Sequence, residues 1–264
     1  MKEKDLPVFI LCGGKGTRIS EESIKKPKPM VEINGKPIML HIIEYYMKFG
    51  FRKFILCTGY KCEIINDYFI NFFYKNSDFS VNLSNGKVIP LNATNYPEDL
   101  TVTCCFTGIE SMTGARIKRA TQKYLLDKEK HFAVTYGDGL CNVNLSNELN
   151  SHLESKKLAT VLAVNPPSRF GEFVKEGSTF EFIEKPHKFN TFINGGYFFF
   201  RREFINRLDD NEGLILEQLP LVNLAKDNQL NVFPHTNFWQ CMDTLRDKNV
   251  LDKLAETNSA PWLK

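Results

Sequence analysis

The chain reads as an α/β protein built on a mostly parallel sheet with helices on both faces, and two observations predict it. Short apolar runs alternate with stretches of helical period along most of its length. Several of the runs end at glycines, as Val8-Phe9-Ile10-Leu11 does at Gly13-Gly14, which is how a strand delivers a loop to the carboxyl edge of an open sheet.

Element by element, residues 8–11 form a buried strand. Ile38, Ile42, Tyr45 and Phe49 recur at helical spacing, and Gly50 supplies a stop. Residues 53–58 are a second strand, and Ile64, Tyr68 and Phe72 mark the next helix. The stretch 74–99 is polar and irregular, with a hairpin suggested by the Asn/Ser cluster at 82–86. Strand 100–106, helix 113–126, strand 131–136, helix 147–156 and strand 158–164 follow. Past Pro166-Pro167 the strands shorten and read as hairpins, at 172–175, 179–183 and 192–201. Helix 216–226, strand 230–233 and helix 244–256 close the chain. The expectation is one domain over 1–264, with a nucleotide-binding half up to about 165 and an acceptor half from about 166.

Composition excludes several classes. With 42% hydrophobic and 25% charged residues the chain sits near the globular average, which argues against disorder and membrane spanning. A formal charge of +3, from 34 Lys+Arg against 31 Asp+Glu, is too small to mark a nucleic-acid binder. The apolar run at 8–12 is short for a signal-peptide core and lacks a cleavage site, so the expectation is a cytoplasmic protein. The seven cysteines are an odd number without CxxC spacing, as expected of buried thiols in a reducing compartment. The five histidines show no ligand spacing.

Chemistry concentrates at the glycine turns. Gly13-Gly14-Lys15-Gly16-Thr17-Arg18 lacks the third glycine of GxGxxG and the GK[ST] ending of a Walker loop. What remains suits a polyphosphate: glycines admit close backbone N–H groups, and Arg18 can fork two donors onto phosphate oxygens. Lys28 follows in a proline-stiffened segment, Lys25-Lys26-Pro27-Lys28-Pro29. Asp138, between Gly137 and Gly139 after an apolar strand, is placed to hold a magnesium ion or simply to turn the chain. Asp243 is placed to cap the last helix, or to join Asp138 if the two converge. Glu184, Lys185, Asn194 and Gly195 offer an acid, a cation, an amide and close backbone access, a set able to hold the hydroxyls and phosphate of a sugar. A dehydrogenase would show GxGxxG with a later acid, and a noncatalytic homologue would lack the carboxylates.

Together the segments GGKGTRISEES, KPKPMVEINGKPI, SMTGARIKR, TYGDG, RFGEF, FIEKP, INGGYFFF and FWQCMDTLRDK resemble the sugar nucleotidyltransferases, most closely their glucose-1-phosphate cytidylyltransferase type. The resemblance runs from Gly13 to Trp262. It implies a Rossmann-like three-layer α/β/α fold with small hairpin additions, in a homo-oligomer without nucleic-acid or membrane partners. It implies Mg²⁺-dependent transfer from CTP to α-D-glucose 1-phosphate, giving CDP-glucose for surface polysaccharide synthesis; another sugar 1-phosphate or another nucleotide is the alternative. Residue by residue, the nucleotide would lie on Leu11, Cys12, Gly13, Gly14, Lys15, Gly16, Thr17, Arg18, Lys28 and Gly137, with Arg18 and Lys28 catalytic. The base-contacting segment would fall at 111–116, with Ser111, Gly114 and Arg116. Glu184, Lys185, Asn194 and Gly195 would take the sugar phosphate, and Asp138 and Asp243 the Mg²⁺.

Overall fold

Alternation in the first strand, β1 (Pro7–Leu11), decides which side of the sheet each helix covers. Val8 and Ile10 face one side and Phe9 the other, because successive side chains of a strand point to opposite faces. The computed structural model describes residues 6–16, 26–92, 95–165, 172–177, 179–183 and 191–264. Six further strands join β1: β2 (Lys53–Thr58), β3 (Thr101–Phe106), β4 (His131–Tyr136), β5 (Ala159–Val164), β6 (Ile193–Arg201) and β7 (Leu230–His235). Their order across the sheet is β7-β5-β6-β4-β1-β2-β3. All neighbours run parallel except β6, which is antiparallel to both β5 and β4.

Helices cover both faces. Val8, Ile10, Phe54 and Leu56 pack against α1 (Ile38–Lys48) and α5 (Leu145–Ser155), through Ile38, Ile42, Tyr46, Leu145 and Leu149. Phe9, Ile55 and Cys57 meet α4 (Thr113–Tyr124), through Ala115, Ile117 and Ala120. Each large apolar side chain so buried stabilises the fold by roughly 1.5–3 kcal/mol. The remaining helices are α2 (Cys62–Ile70), α3 (Phe72–Asn76), α6 (Leu219–Lys226) and α7 (Leu245–Glu256). No helix among the described residues is long and apolar enough to cross a membrane.

The mostly parallel sheet between helices is the predicted class, but three expectations need correction. The segment at 192–201 is not a hairpin strand. It is β6, and it lies inside the main sheet between strands of the first half, so one sheet holds strands from both sides of residue 165, as the sequence reading allowed. The helix expected through Ile64, Tyr68 and Phe72 breaks at Asn71, whose amide turns back to Asp67 and separates α2 from α3. Asp243 does not cap the last helix. Thr244 does, in a reciprocal capping box with Asp247, which leaves the Asp243 carboxylate available elsewhere. The excursion at 74–99 does hold a hairpin, Phe79–Val81 against Val88–Pro90.

A second small ladder positions the site. Gly139–Cys141 pairs antiparallel with Trp239–Cys241, and Met242 donates its N–H to the carbonyl of Asp138 at 2.8 Å. Asp138 and Asp243 therefore leave the same end of one ladder.

Candidate active site

A cavity of about 650 Å³ opens at the carboxyl ends of β1 and β4, where open α/β sheets bind ligands. Its floor begins at the glycine loop. Leu11 accepts from the N–H of Gly137 at 3.0 Å, and the Gly13 carbonyl accepts from the N–H of Tyr60, so the turns after β1, β2 and β4 are laced together by backbone bonds. Gly16 is in the left-handed region at φ 58°, with the Lys28 side chain directly against it.

Arg116, on the first turns of α4, ties this loop to its neighbours. Its Nη1 donates to Thr58 O, Thr107 Oγ1 and Gly108 O, and its Nη2 to Gly13 O and Ile109 O. The guanidinium is buried, and burial pulls its pKa down. No carboxylate among the described residues bonds to it, so it is a cation solvated by neutral protein oxygens. Glycine at position 13 permits this, because a Cβ there would lie 2.2 Å from Arg116 Nη1.

The centre of the cavity is an ionic triad. Lys28 Nζ donates to Asp138 Oδ2 at 2.5 Å and to Asp243 Oδ1 at 2.6 Å. Only 12% of the Lys28 side chain is exposed. Burial works against its charge, but Asp138 and then Asp243 outweigh it, and the Lys28 pKa is raised. The Cys241 thiol donates to Asp243 Oδ2 at 3.5 Å; burial and the two carboxylates push its pKa up to about 12, so it stays protonated.

Another wall carries polar groups suited to hydroxyls. Asn194 Nδ2 donates to the Tyr136 hydroxyl at 2.8 Å, and that hydroxyl donates to Glu217. Trp239 Nε1 donates to the carbonyl of Gly195 at 2.8 Å, fixing β6 against the ladder that bears Asp243.

Comparison with known proteins bears on this arrangement. The family model described as nucleotidyl transferase matches residues 8–244, which contain the glycine loop, Lys28 and both carboxylates. The chain belongs to the nucleotidyl transferase family. It is 43% identical over 258 residues to the glucose-1-phosphate cytidylyltransferase of Salmonella typhimurium, covering 97% of this chain and 98% of that one. The Salmonella typhi protein of the same name matches with the same identity and coverage. Among solved structures, HddC from Yersinia pseudotuberculosis complexed with GMP-PN shares the fold, at a TM-score of 0.66 and 22% identity over 94% of this chain and 98% of that one.

Within this nucleotidyl transferase, the expected residues divide into three groups. Leu11, Cys12, Gly13, Gly14, Gly16, Lys28, Ser111, Arg116, Gly137, Asp138, Asn194 and Asp243 all reach the cavity wall. Lys15, Gly114 and Gly195 do not. Lys15 turns to Glu110 in an exposed ion pair, Gly114 packs under Leu214, and Gly195 packs against Val164 and Leu162. Thr17, Arg18, Glu184 and Lys185 lie outside the described residues. Ser111 is held inward as well as being on the wall: its Oγ donates to Thr107 O at 2.6 Å and accepts from Arg119.

Met112 and Thr113, inside the expected base segment 111–116, are also on the wall, whereas sequence reasoning missed Tyr136 and Glu217. Tyr136 stood one residue before the glycine of the Asp138 turn and was legible there. Glu217 had no local signal. The carboxylate pair fits a divalent cation of the oxygen-seeking kind. Two hard oxygen donors already share one cation between them, and the rest of such an ion's shell is normally water and substrate phosphate.

Proposed function

We propose that this chain transfers the cytidylyl group of CTP to α-D-glucose 1-phosphate, releasing pyrophosphate and forming CDP-glucose, with Mg²⁺ as its metal. The observation that carries the reading is the meeting of Asp138 and Asp243 at Lys28, inside a cavity bounded by the glycine loop. The relatives that match over nearly all of their length support the substrate pair.

In the reaction a phosphate oxygen of the sugar attacks the α-phosphorus of CTP, the bond to the β-phosphate oxygen breaks, and pyrophosphate leaves with the electron pair. No protein nucleophile is required, so positioning and charge neutralisation provide the rate. Bound at Asp138 and Asp243, Mg²⁺ would supply Lewis-acid neutralisation of phosphate charge. The backbone of Gly13 to Gly16 presents donors to the triphosphate, held in place from below by Arg116. Lys28 and Arg18 stabilise the negative charge that grows on the leaving pyrophosphate.

On this reading the nucleotide sits mainly on the first half of the chain. The acceptor sits mainly on the second, through Asn194 with Glu184 and Lys185. Asp243 reaches back across the divide. The product would feed surface polysaccharide synthesis in the cytoplasm, from a homo-oligomeric enzyme. Pyrophosphate release measured over a panel of nucleoside triphosphates and sugar 1-phosphates tests the assignment. CTP with glucose 1-phosphate is expected to be the most efficient pair by kcat/KM; a different preferred sugar or base would overturn the substrates named here.

A further inference from the structure

The wall that bears Asn194 contains a directed chain of hydrogen bonds that phosphoryl chemistry does not require. Thr113 Oγ1 donates to Glu217 Oε2 at 2.7 Å, and the Tyr136 hydroxyl donates to Glu217 Oε1. Asn194 Nδ2 donates to the Tyr136 oxygen at 2.8 Å, and Asn194 Oδ1 accepts from the N–H of Gly196, also at 2.8 Å. All four side chains line the cavity, yet they come from the start of α4, the end of β4, β6 and the segment before α6.

The direction of this chain follows from what each group is able to do. A carboxylate only accepts, so the single phenolic proton points at Glu217. The phenol oxygen is then left as an acceptor, and Asn194 must turn its NH₂ toward it and its carbonyl toward Gly196. One N–H of Asn194 is thereby used, and the other, which meets no acceptor among the described residues, is the one a ligand would take. A further observation supports a built arrangement. Gly196 stands at φ 78°, and a Cβ there would come within 2.5 Å of the Tyr136 ring, so the ring rests directly on the backbone of the strand that carries Asn194.

We propose that Glu217 is a positioning residue for acceptor recognition: acting through Tyr136, it locks the Asn194 amide as a donor toward an oxygen of the phosphorylated sugar. The proposal rests on the nucleotidyl-transfer reading above and adds to it the polarity of one acceptor contact. Among the described residues no lysine or arginine bonds Glu217, whose partners are two hydroxyls, so its charge faces a part of the cavity suited to neutral hydroxyls rather than phosphates.

The test compares wild type with Glu217→Leu, Glu217→Gln, Tyr136→Phe and the double variant Tyr136→Phe/Glu217→Leu, each first checked for folding by thermal melt. Losing the polarised donor is expected to raise the KM for glucose 1-phosphate about tenfold in Glu217→Leu and in Tyr136→Phe, the scale of one hydrogen bond to a charged or well-placed group. The KM for CTP should stay within about twofold. Glu217→Gln keeps an amide oxygen to accept the phenolic proton, so it should return the sugar KM to within about threefold of wild type. The double variant should be no worse than Tyr136→Phe alone, because Glu217 acts through that hydroxyl. Fully additive losses, or Glu217→Gln as impaired as Glu217→Leu, would overturn the proposal. So would a KM rise confined to CTP and absent with 2′-deoxy-CTP, which would move Glu217 to the ribose. If wild type proves inert toward glucose 1-phosphate, the substrate assignment fails on its own, and the reactive acceptor from the panel becomes the probe for the same set of variants.

Discussion

Lys28 and Asp243 are 215 positions apart in the chain and 2.6 Å apart in space. The same ammonium holds Asp138 at 2.5 Å, so one lysine keeps two carboxylates from facing each other unneutralised. Removing it should lower stability as well as nucleotide use. Lys28→Ala is expected to lose about 1–3 kcal/mol, the scale of leaving charged hydrogen-bond partners unmatched at a partly buried site. Added Mg²⁺ should restore more of the melting temperature in this variant than in wild type, since a second cation answers the same two charges. An unchanged melt in the absence of metal would contradict the triad's structural role.

Asp138→Asn and Asp243→Asn should each reduce turnover by roughly 10²-fold or more, as the loss of a preorganised electrostatic group does. Excess chelator should abolish activity in wild type and Mg²⁺ should restore it. Pyrophosphate release that persists in chelator would remove the metal from the mechanism.

The three-way packing of Arg116 with Gly13 and Gly59 makes an unobvious position sensitive. A Cβ at Gly59 would lie 2.4 Å from Arg116 Nη1 and 2.5 Å from the Gly108 carbonyl, almost as crowded as at Gly13. Gly59→Ala and Gly13→Ala should each destabilise by about 1–3 kcal/mol, the usual penalty of overpacking, and raise the KM for CTP. Gly14→Ala, where a Cβ meets nothing within 4 Å, should leave the melting temperature unchanged. Equal melts across the three would show that the guanidinium relaxes freely.

Glu148 gives the pH dependence of stability. It is fully buried on α5, neither carboxyl oxygen has a hydrogen-bond partner among the described residues, and burial pushes its pKa up to about 8. With a folded pKa above the unfolded one, the native state binds the extra proton between pH 4.5 and 8. Its contribution is therefore fully present below pH 4.5 and falls by about 1.4 kcal/mol per pH unit until the folded pKa is passed. Glu148→Gln should flatten that slope and make the protein more stable than wild type at pH 8. Denaturant titrations from pH 5 to 8 check it; parallel slopes in the two proteins would refute the assignment.

Much of the fold was legible because the signals are local. Lys53–Thr58 and His131–Tyr136 are apolar runs whose limits coincide with their strands, and Gly50 stops α1 where a glycine should. The misplacement of β6 has a physical cause: a run of Tyr and Phe after two glycines looks the same in a hairpin and at the centre of a sheet, and only pairing partners distinguish them. In the site, the glycine loop, Lys28 and Asp138 announced themselves by composition. Asp243 had a competing local role as a cap, and it took Thr244 filling that role to release it. The ladder that joins Asp138 to Asp243 is only three residues long on each side, too short for any period to show. Glu217 belongs to no pattern at all; its partners Thr113 and Tyr136 are 104 and 81 positions away.

That short ladder also sets an order in time. A ribosome makes Asp138 and its strand well before it makes Trp239–Cys241, so for much of synthesis the emerging chain has one of the two carboxylates and no partner strand to bring the other. The nucleotide floor can be assembled by then, since β1, β2, β4 and α4 all lie upstream. Asp138 and Asp243, the carboxylates of the proposed metal site, come together only when the residues after β5 have threaded β6 into the sheet and closed the ladder. On the proposed reaction, a half-made chain of this kind would be a binding surface without its metal site, and the late arrival of Asp243 would separate the two.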